Sequence, residues 1–566
     1  MNIEKNYERW LKSSRVSNED KEILRKMTIE EKADAFFKDV EFGTAGMRGV
    51  LGPGTNRMNE HTVKRATIGF AKYLLEKFPD AKTRGVAISH DNRHMAREFT
   101  LLIAETFNKY GIDTYIFDSL RPTPELSFAV RYQKTCAGVM VTASHNPKEY
   151  NGYKVYDEFG CQLIPEKISR LVEIIEELPN ELEIESESHA VCGKNHVFSS
   201  KIDDEYIRLV EEISLNPQLD KSDFKIVYTP NHGAAYVGAM RIFKDFNYDV
   251  YPVVEQCDPD PNFSNTLSPN PEEEKAYIEP IKLAKKVGAK LICMTDPDGD
   301  RVGLAALNRD GNYVLFTGNQ SAAMLMDYIF MMRKKHGTLA KNGVMYSTIV
   351  SSSLGNKIAE FYGLKNEVFL TGFKFIGSQI QHYEETGGPK FEFGYEESYG
   401  CLVAPFVRDK DGLQAILLYC EMALYYDKLG KNLIEVYDDL GKRFGHHVEN
   451  ITSRAFKGPQ GKKEMDALMA SLHDHPIKKL GTRKVIATED YEKQIKIQDG
   501  KEEKINLPKA EVVKIYFEDG SNVAIRPSGT EPKCKFYIGA VANKKEDALC
   551  ASDEIYRDLM NYLNLE

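Results

Sequence analysis

GVAISHDNRHMAREF, residues 85–99, sets the pattern from which the fold is read. A short apolar run suited to a buried strand ends in polar residues and opens a helical pattern. The same grammar returns in KIVYTPNHGAAYVGAM from Lys225 and in GVMYSTIVSSSLGNKIAEF from Gly343. Each copy is followed by a second strand-like run: DTYIFDS from Asp113, YDVYPVVE from Tyr248 and NEVFLTGF from Asn366. Strand, loop, helix and strand within ~30 residues is the βαβ unit of a parallel sheet. Three copies, more than 100 residues apart, predict three related α/β domains in series. One large sheet is the alternative, and a chain of 566 residues is too long for a single core.

The C-terminal part reads differently. VVKIYFEDGSNVAIRPSGTEPKCKFYIGAVA, from Val512, predicts a hairpin turned at Asp519-Gly520, a polar loop, a third strand and then a helix from about Lys545. Hairpins followed by a helix fit an α+β domain. Charged, Gly- and Asp-rich stretches near 181–203, 308–320 and 441–463 mark plausible seams.

The composition is that of a globular chain, with 42% apolar and 28% charged residues. Lys and Arg total 75 against 85 for Asp and Glu, a net charge of −10. An acidic total argues against a general nucleic-acid binder. An anionic substrate would need a local positive pocket in a negative body. The nine cysteines are scattered, form no C-x-x-C pair and read as reduced core thiols. The N-terminus, MNIEKNYERWLKSS, is charged and amphipathic and lacks the apolar core of a secretory signal. No apolar run approaches the ~18 residues of a membrane span. The expectation is a cytoplasmic protein without nucleic-acid or membrane partners, a monomer or weak homodimer.

Common catalytic signatures are absent. No Gly-Lys pair precedes Ser or Thr, and neither H-E-x-x-H nor G-x-S-x-G occurs. Four segments remain. DPDGDR, 296–301, follows the apolar run Leu291 to Met294. Asp296, Asp298 and Asp300 at i, i+2 and i+4 would project to one side of an extended segment, three hard oxygen ligands suited to Mg²⁺. An EF-hand loop also begins D-x-D-x-D, but its sixth position here is Arg301 and its twelfth Leu307. The plain alternative is an acidic surface turn.

TASHNP, 142–147, places Ser144 on a loop leaving a strand, where its hydroxyl could carry a phosphoryl group or act as a nucleophile. In an extended segment His145 would point away, which argues against a hydrolase-like serine–histidine pair. A structural turn serine is the alternative. GYEESYG, 394–400, puts Glu396 and Ser398 on one side of an extended loop, able to grip neighbouring sugar hydroxyls. RPSGTEPK, 526–533, offers a guanidinium, two hydroxyls and a Gly-opened backbone, equipment for clasping a phosphate dianion. Solvated turns are the alternatives for both.

In this order and at these separations, the four segments resemble the α-D-phosphohexomutase superfamily over nearly the whole chain. VEFGTAGMRG, 40–49, and the charged N-terminal lead are similar to its phosphoglucomutase branch, which also holds phosphopentomutases and glucose-1,6-bisphosphate synthases. The resemblance implies an α/β protein of four domains around a central cleft, three related α/β mixed-sheet domains in series plus a C-terminal α+β domain. The limits expected are 1–203 with the phosphoserine loop, 204–317 with the metal loop, 318–443 with the sugar loop and 444–566 with the phosphate loop.

The resemblance further implies that Ser144 carries the phosphoryl group, one of whose oxygens completes a Mg²⁺ shell of Asp296, Asp298 and Asp300. Glu396 and Ser398 would hold the sugar hydroxyls, and Arg526, Ser528, Gly529 and Thr530 the non-reacting phosphate. Arg48, His145, Lys154 and Arg301 match positions lining the reacting phosphoryl group, and Lys410 one proposed for proton transfer. Thr371, Gly372 and Lys374, in TGFK, match a loop that distinguishes the sugar's orientation. GYEES departs from the commoner GEES by an inserted tyrosine that keeps the E-x-S spacing. The substrate class implied is a small sugar phosphate. The reaction implied is interconversion of glucose 1-phosphate and glucose 6-phosphate, with glucose 1,6-bisphosphate as intermediate and activator. Phosphopentomutase and phosphomannomutase activities are the alternatives within the family, and a Mg²⁺-dependent sugar phosphatase the one outside it.

Overall fold

The computed structural model describes residues 3–43, 46–185, 191–456, 458–527 and 533–565. The chain forms two compact units, the first of residues 1–318, 373–393 and 398–425, the second of 319–372, 394–397 and 426–566. Among the described residues the strands gather into separate sheets of seven, five, four and eight strands, so the single-sheet alternative fails. No described helix is long and apolar enough to cross a membrane. All nine cysteines are free thiols, and the Cys293 and Cys420 thiols share a hydrogen bond at 3.8 Å without forming a disulfide.

In the first unit three short helices precede the first sheet, Ile3–Lys12, Asn18–Lys26 and Ile29–Phe36. Ser17 and Thr28 cap the second and third by accepting from backbone N–H groups that would otherwise have no partner. Tyr7, Trp10, Leu24 and Phe36 form their core, and Trp10 Nε1 donates to Glu181 Oε1 at 2.6 Å.

The first βαβ reading holds: Val86–His90, helix Ala96–Lys109 and Thr114–Ile116, the two strands parallel. Ala137–Val141 lies parallel on the other side of Val86–His90, and Tyr150–Tyr156 adds antiparallel to it. The second sheet repeats the order. Lys225–Thr229 lies between Asp249–Pro252 and Leu291–Thr295, all parallel, and Val302–Leu307 adds antiparallel to Leu291–Thr295. Val86–His90, Ala137–Val141 and Leu291–Thr295 are buried along their whole length, as strands covered on both faces must be. The residues that follow each strand are polar, so function gathers in the loops at the strands' C-terminal ends.

In the second unit Gly343–Thr348 and Lys365–Phe369 are parallel strands joined through helix Ser353–Phe361, the third βαβ unit. The C-terminal sheet is antiparallel throughout. Val513–Phe517 and Asn522–Pro527 form the hairpin turned at Asp519-Gly520, where Gly520 has φ +87°, and Lys533–Ala542 pairs beyond it. Helix Lys545–Tyr562 buries Ile555 and Leu559 in the same core as Ile515, Ile525 and Phe536.

Lys514 lies within this sheet and donates from Nζ to Ile349 O at 2.7 Å. Burial pushes its ammonium down to about 8, against the attraction of Glu489. An unfolded lysine keeps its proton to about pH 10.4, so between about pH 8 and that value the unfolded chain binds the extra proton and stability rises with pH. Below about pH 8 the penalty is fully present. We expect this group alone to add about 2–3 kcal/mol of unfolding free energy across that window, and Lys514→Met to lack the rise. Urea unfolding of both proteins at about pH 7.5 and about pH 10 reads the difference.

Candidate active site

Ser144 follows Ala137–Val141 by three residues and is 2% exposed. Its backbone is left-handed, φ +53°, a strain that a non-glycine residue keeps only where its surroundings hold it. The holders are on the neighbouring loop. Arg93 donates from Nη1 to Pro147 O (2.8 Å) and Tyr150 O (3.0 Å), and from Nη2 to the carbonyls of Ser144 and Asn146. Asp91 pairs with Arg93 at 3.3 Å and accepts from Thr142 Oγ1 at 2.5 Å. Burial pushes the Asp91 carboxyl up to about 6, with Arg93 pulling it back. Thr142 Oγ1 accepts in turn from Ser144 N at 2.7 Å.

The turn corrects one expectation. An extended segment would send His145 away from Ser144, yet Ser144 Oγ lies 3.2 Å from His145 Nδ1. The left-handed residue reverses the alternation of side chains and brings the imidazole alongside. Burial, with Arg301 and Arg48 nearby, holds the His145 imidazole well below its ordinary range, so it is neutral at pH 7. Arg48, on strand Gly46–Val50, donates to Asn146 Oδ1 at 3.0 Å.

Ser144 Oγ also donates to Asp296 Oδ2 at 2.8 Å, which joins the serine loop to the aspartate loop of the second sheet. Here too the extended reading is corrected. Residues 296–300 form a turn around Asp296, whose Oδ1 accepts from Asp300 N and Arg301 N, both at 3.1 Å, while Gly299 N, at φ +69°, donates to Asp296 O. The three carboxylates converge because the backbone wraps around the first of them. Each offers an oxygen within 4.8 Å of the others, and all three residues are buried.

Two lysines balance the cluster. Lys154 Nζ donates to Asp298 Oδ2 at 2.8 Å, and Lys410 Nζ lies 3.1 Å from Asp300 Oδ2 and from Asp409 Oδ1. Thr123 holds Asp298 twice, from Oγ1 to Oδ2 (3.0 Å) and from N to O (2.8 Å). Burial, reinforced by Asp298 and Asp300, pushes the Asp296 carboxyl well up. Burial would raise Asp298 too, but Lys154, Asp296 and Lys410 together outweigh it and hold that carboxyl below the usual range. Asp298 Oδ1 and Asp300 Oδ1 have no hydrogen-bond partner among the described residues. Buried carboxylate oxygens left this way cost free energy unless a cation takes them. An all-oxygen set of this kind fits Mg²⁺.

Arg301 reaches Glu272 Oε1 at 3.1 Å. Lys374 is 3% exposed on helix Phe373–Thr386. In the second unit, Gly372 N donates to Glu396 Oε1 at 2.9 Å, Thr371 precedes it, and Arg526 is the penultimate residue of strand Asn522–Pro527. Ser398 belongs to the first unit, and residues 397–399 bend where an extended loop was expected. Ser528, Gly529 and Thr530 lie outside the described residues. Sequence reading missed Asp91, Arg93, Thr123 and Asp409. DNRH is visible as a polar turn, but nothing in it says which carbonyls Arg93 would meet. Thr123 opens helix Thr123–Gln133 in the segment RPTPEL, and nothing there says that it would meet Asp298.

Comparison with known proteins places this site in context. Profiles described as phosphoglucomutase/phosphomannomutase alpha/beta/alpha domains I, II and III match residues 39–181, 204–309 and 317–444, and that of the family's C-terminal domain matches 478–555. A phosphoglucomutase of Staphylococcus epidermidis is 37% identical over 541 residues, 94% of this chain and 97% of that one. A phosphoglucomutase of Staphylococcus aureus is 36% identical over 514 residues, 90% of this chain and 91% of that one. The open form of parafusin, a phosphoglucomutase from Paramecium, superposes with a TM-score of 0.69 at 20% identity, covering 92% of this chain and 94% of that one. A putative phosphomannomutase from Thermus thermophilus gives 0.66 at 22% identity, covering 92% and 99%. These two structures share the fold.

Proposed function

The chain belongs to the phosphoglucomutase/phosphomannomutase family, and from that premise we propose that it interconverts glucose 1-phosphate and glucose 6-phosphate through a phosphorylated Ser144. The observation that carries the reading is Ser144 Oγ at 2.8 Å from Asp296 Oδ2, a hydroxyl set against three buried carboxylates. Mg²⁺ held by Asp296, Asp298 and Asp300 with an oxygen on Ser144 would supply charge neutralisation at the transferring phosphoryl group.

The protein's own groups do the rest. Phospho-Ser144 gives its phosphoryl group to the free hydroxyl of a sugar monophosphate, and glucose 1,6-bisphosphate results. The bisphosphate turns end for end and returns its other phosphate to Ser144. Arg48, Lys154 and Arg301 supply positive charge beside the serine, which answers the requirement set by the net −10. His145, neutral and 3.2 Å from Ser144 Oγ, and Lys410 are the groups placed to take the hydroxyl proton. Glu396 and Ser398 hold ring hydroxyls, Thr371, Gly372 and Lys374 read the sugar's orientation, and Arg526, Ser528, Gly529 and Thr530 clasp the distal phosphate.

The test is turnover of purified protein with Mg²⁺ and a trace of glucose 1,6-bisphosphate, compared across glucose, mannose and ribose phosphates. We expect kcat/KM for glucose 1-phosphate to exceed the others by at least about 10-fold, since a site built to bond a hydroxyl rejects an isomer lacking it there. A higher value for the ribose or mannose ester would make the protein a phosphopentomutase or phosphomannomutase. Phosphate release without isomerisation would make it a phosphatase.

A further inference from the structure

The two sheets of the first unit share a device that the reaction itself does not require to be repeated. In the first, the loop bearing Ser144 leaves strand Ala137–Val141 and the loop bearing Arg93 leaves its parallel neighbour Val86–His90; His90 pairs with Val141, so the two loops start side by side. In the second, the aspartate loop leaves Leu291–Thr295 and residues 230–235 leave the parallel neighbour Lys225–Thr229, with Thr229 paired to Met294. In each sheet the second loop carries a buried polar side chain that bonds the backbone of the first.

Arg93 is 3% exposed and binds four carbonyls of the serine loop, those of Ser144, Asn146, Pro147 and Tyr150. Asn231 is fully buried with φ +48°, and its Nδ2 donates to Thr295 O at 3.1 Å, the carbonyl directly before Asp296. Three residues on, Ala234 N donates to Pro297 O at 2.8 Å. Asn231 Oδ1 has no hydrogen-bond partner among the described residues. A residue that only filled space would not leave a buried amide half satisfied at a cost of about 1–3 kcal/mol, so the single bond to Thr295 O is what the amide contributes. The second unit has a related bond at the end of Gly343–Thr348, made by the strand's last residue and reaching a side chain instead of backbone. Thr348 Oγ1 donates to Glu397 Oε2 at 3.0 Å, next in the chain to Glu396, and Ser351 Oγ lies 2.9 Å from the Thr348 hydroxyl.

We propose that Arg93, Asn231 and Thr348, each at or within three residues of the C-terminal end of the corresponding strand in a three-fold structural repeat, are positioning residues, each setting the loop that does the chemistry in its own repeat. Arg93 sets the phosphoserine, Asn231 the metal ligands and Thr348 the sugar contact. The roles of the three loops rest on the function proposed above. None of the three touches the reacting atoms, and each acts through backbone or through a neighbouring carboxylate.

Because the loops differ in task, the three variants should move three different quantities. Arg93→Lys keeps the charge but loses the fork that spans four carbonyls; kcat should fall about 10²-fold with KM within about twofold, as a misplaced nucleophile predicts. Asn231→Gly tolerates the left-handed backbone and deletes only the amide; Mn²⁺ affinity, read by electron paramagnetic resonance, should fall about 10-fold or more. Thr348→Val should raise KM about 10-fold with kcat little changed, and Thr348→Ser, which keeps the hydroxyl, should restore it. Folded fraction is read by circular dichroism and rates are expressed per folded molecule. If the three variants change only the folded fraction, leaving kcat, Mn²⁺ affinity and KM within about twofold of wild type, the proposal is wrong. Should Arg93→Lys not fold, the other two variants decide it. The Mn²⁺ titration needs no turnover, so it stands even if the proposed reaction fails.

Discussion

Ser144→Gly is expected to lower kcat at least about 10⁴-fold while leaving the protein as stable as wild type or slightly more so. The activity loss follows from chemistry: without the hydroxyl there is no atom to accept or donate the phosphoryl group, and removing a covalent nucleophile costs an enzyme most of its rate. The stability follows from φ +53° at this residue, where glycine is relaxed and serine strained. Glycine also loses the bonds to Asp296 and His145, which offsets part of that gain. Alanine at the same site would lose the hydroxyl and keep the strain. The pair therefore separates catalysis from folding, with thermal unfolding on one axis and turnover on the other. Substantial activity in Ser144→Gly would remove the serine from the reaction and the proposed mechanism with it.

Asp298→Asn is expected to weaken Mn²⁺ binding by about 10²-fold and turnover by about 10³-fold. Asp298 is exchanged in preference to Asp296, whose Oδ1 organises the backbone N–H groups of Asp300 and Arg301. The asparagine keeps an oxygen for Thr123 Oγ1 but loses the charge that Lys154 faces at 2.8 Å. A hard divalent cation held by carboxylates loses much of its affinity with one charge gone. Manganese titration measures the first number, turnover at saturating magnesium the second. Unchanged affinity would place the cation elsewhere.

Much of the fold was legible before any coordinates. Each βαβ unit announces itself by an apolar run, a polar break and an amphipathic stretch, and these signals are local. DPDGDR and TASHNP stood out for the same reason: each packs its polar groups into six consecutive residues. What was not legible is how those segments bend. Alternation of side chains assumes an extended backbone, and both Ser144 and Gly299 take positive φ. That one departure explains why His145 lies beside the serine and why the carboxylates converge by a turn. Residues that act at a distance in sequence were also hidden. Arg93 lies 51 positions from Ser144, and Thr123 lies 175 from Asp298. Neither is unusual in its own neighbourhood, and only the sheet brings them to their partners.

The aspartate loop has a consequence for anyone recombining such proteins. Five residues, 296–300, are gripped by Thr123 of helix Thr123–Gln133, by Lys154 of the first sheet, by Ala234 of the loop after Lys225–Thr229, and by Lys410 and Gly412 from the segment after residue 398. The chain looks like beads that could be exchanged between relatives at the seams. Chimeras cut near residue 203 or 317 would sever partners whose co-inheritance this loop demands. A viable swap would carry residues 3–318 together with 373–393 and 398–425, three stretches that are not contiguous. Despite its serial appearance, the unit of exchange here is a discontinuous one.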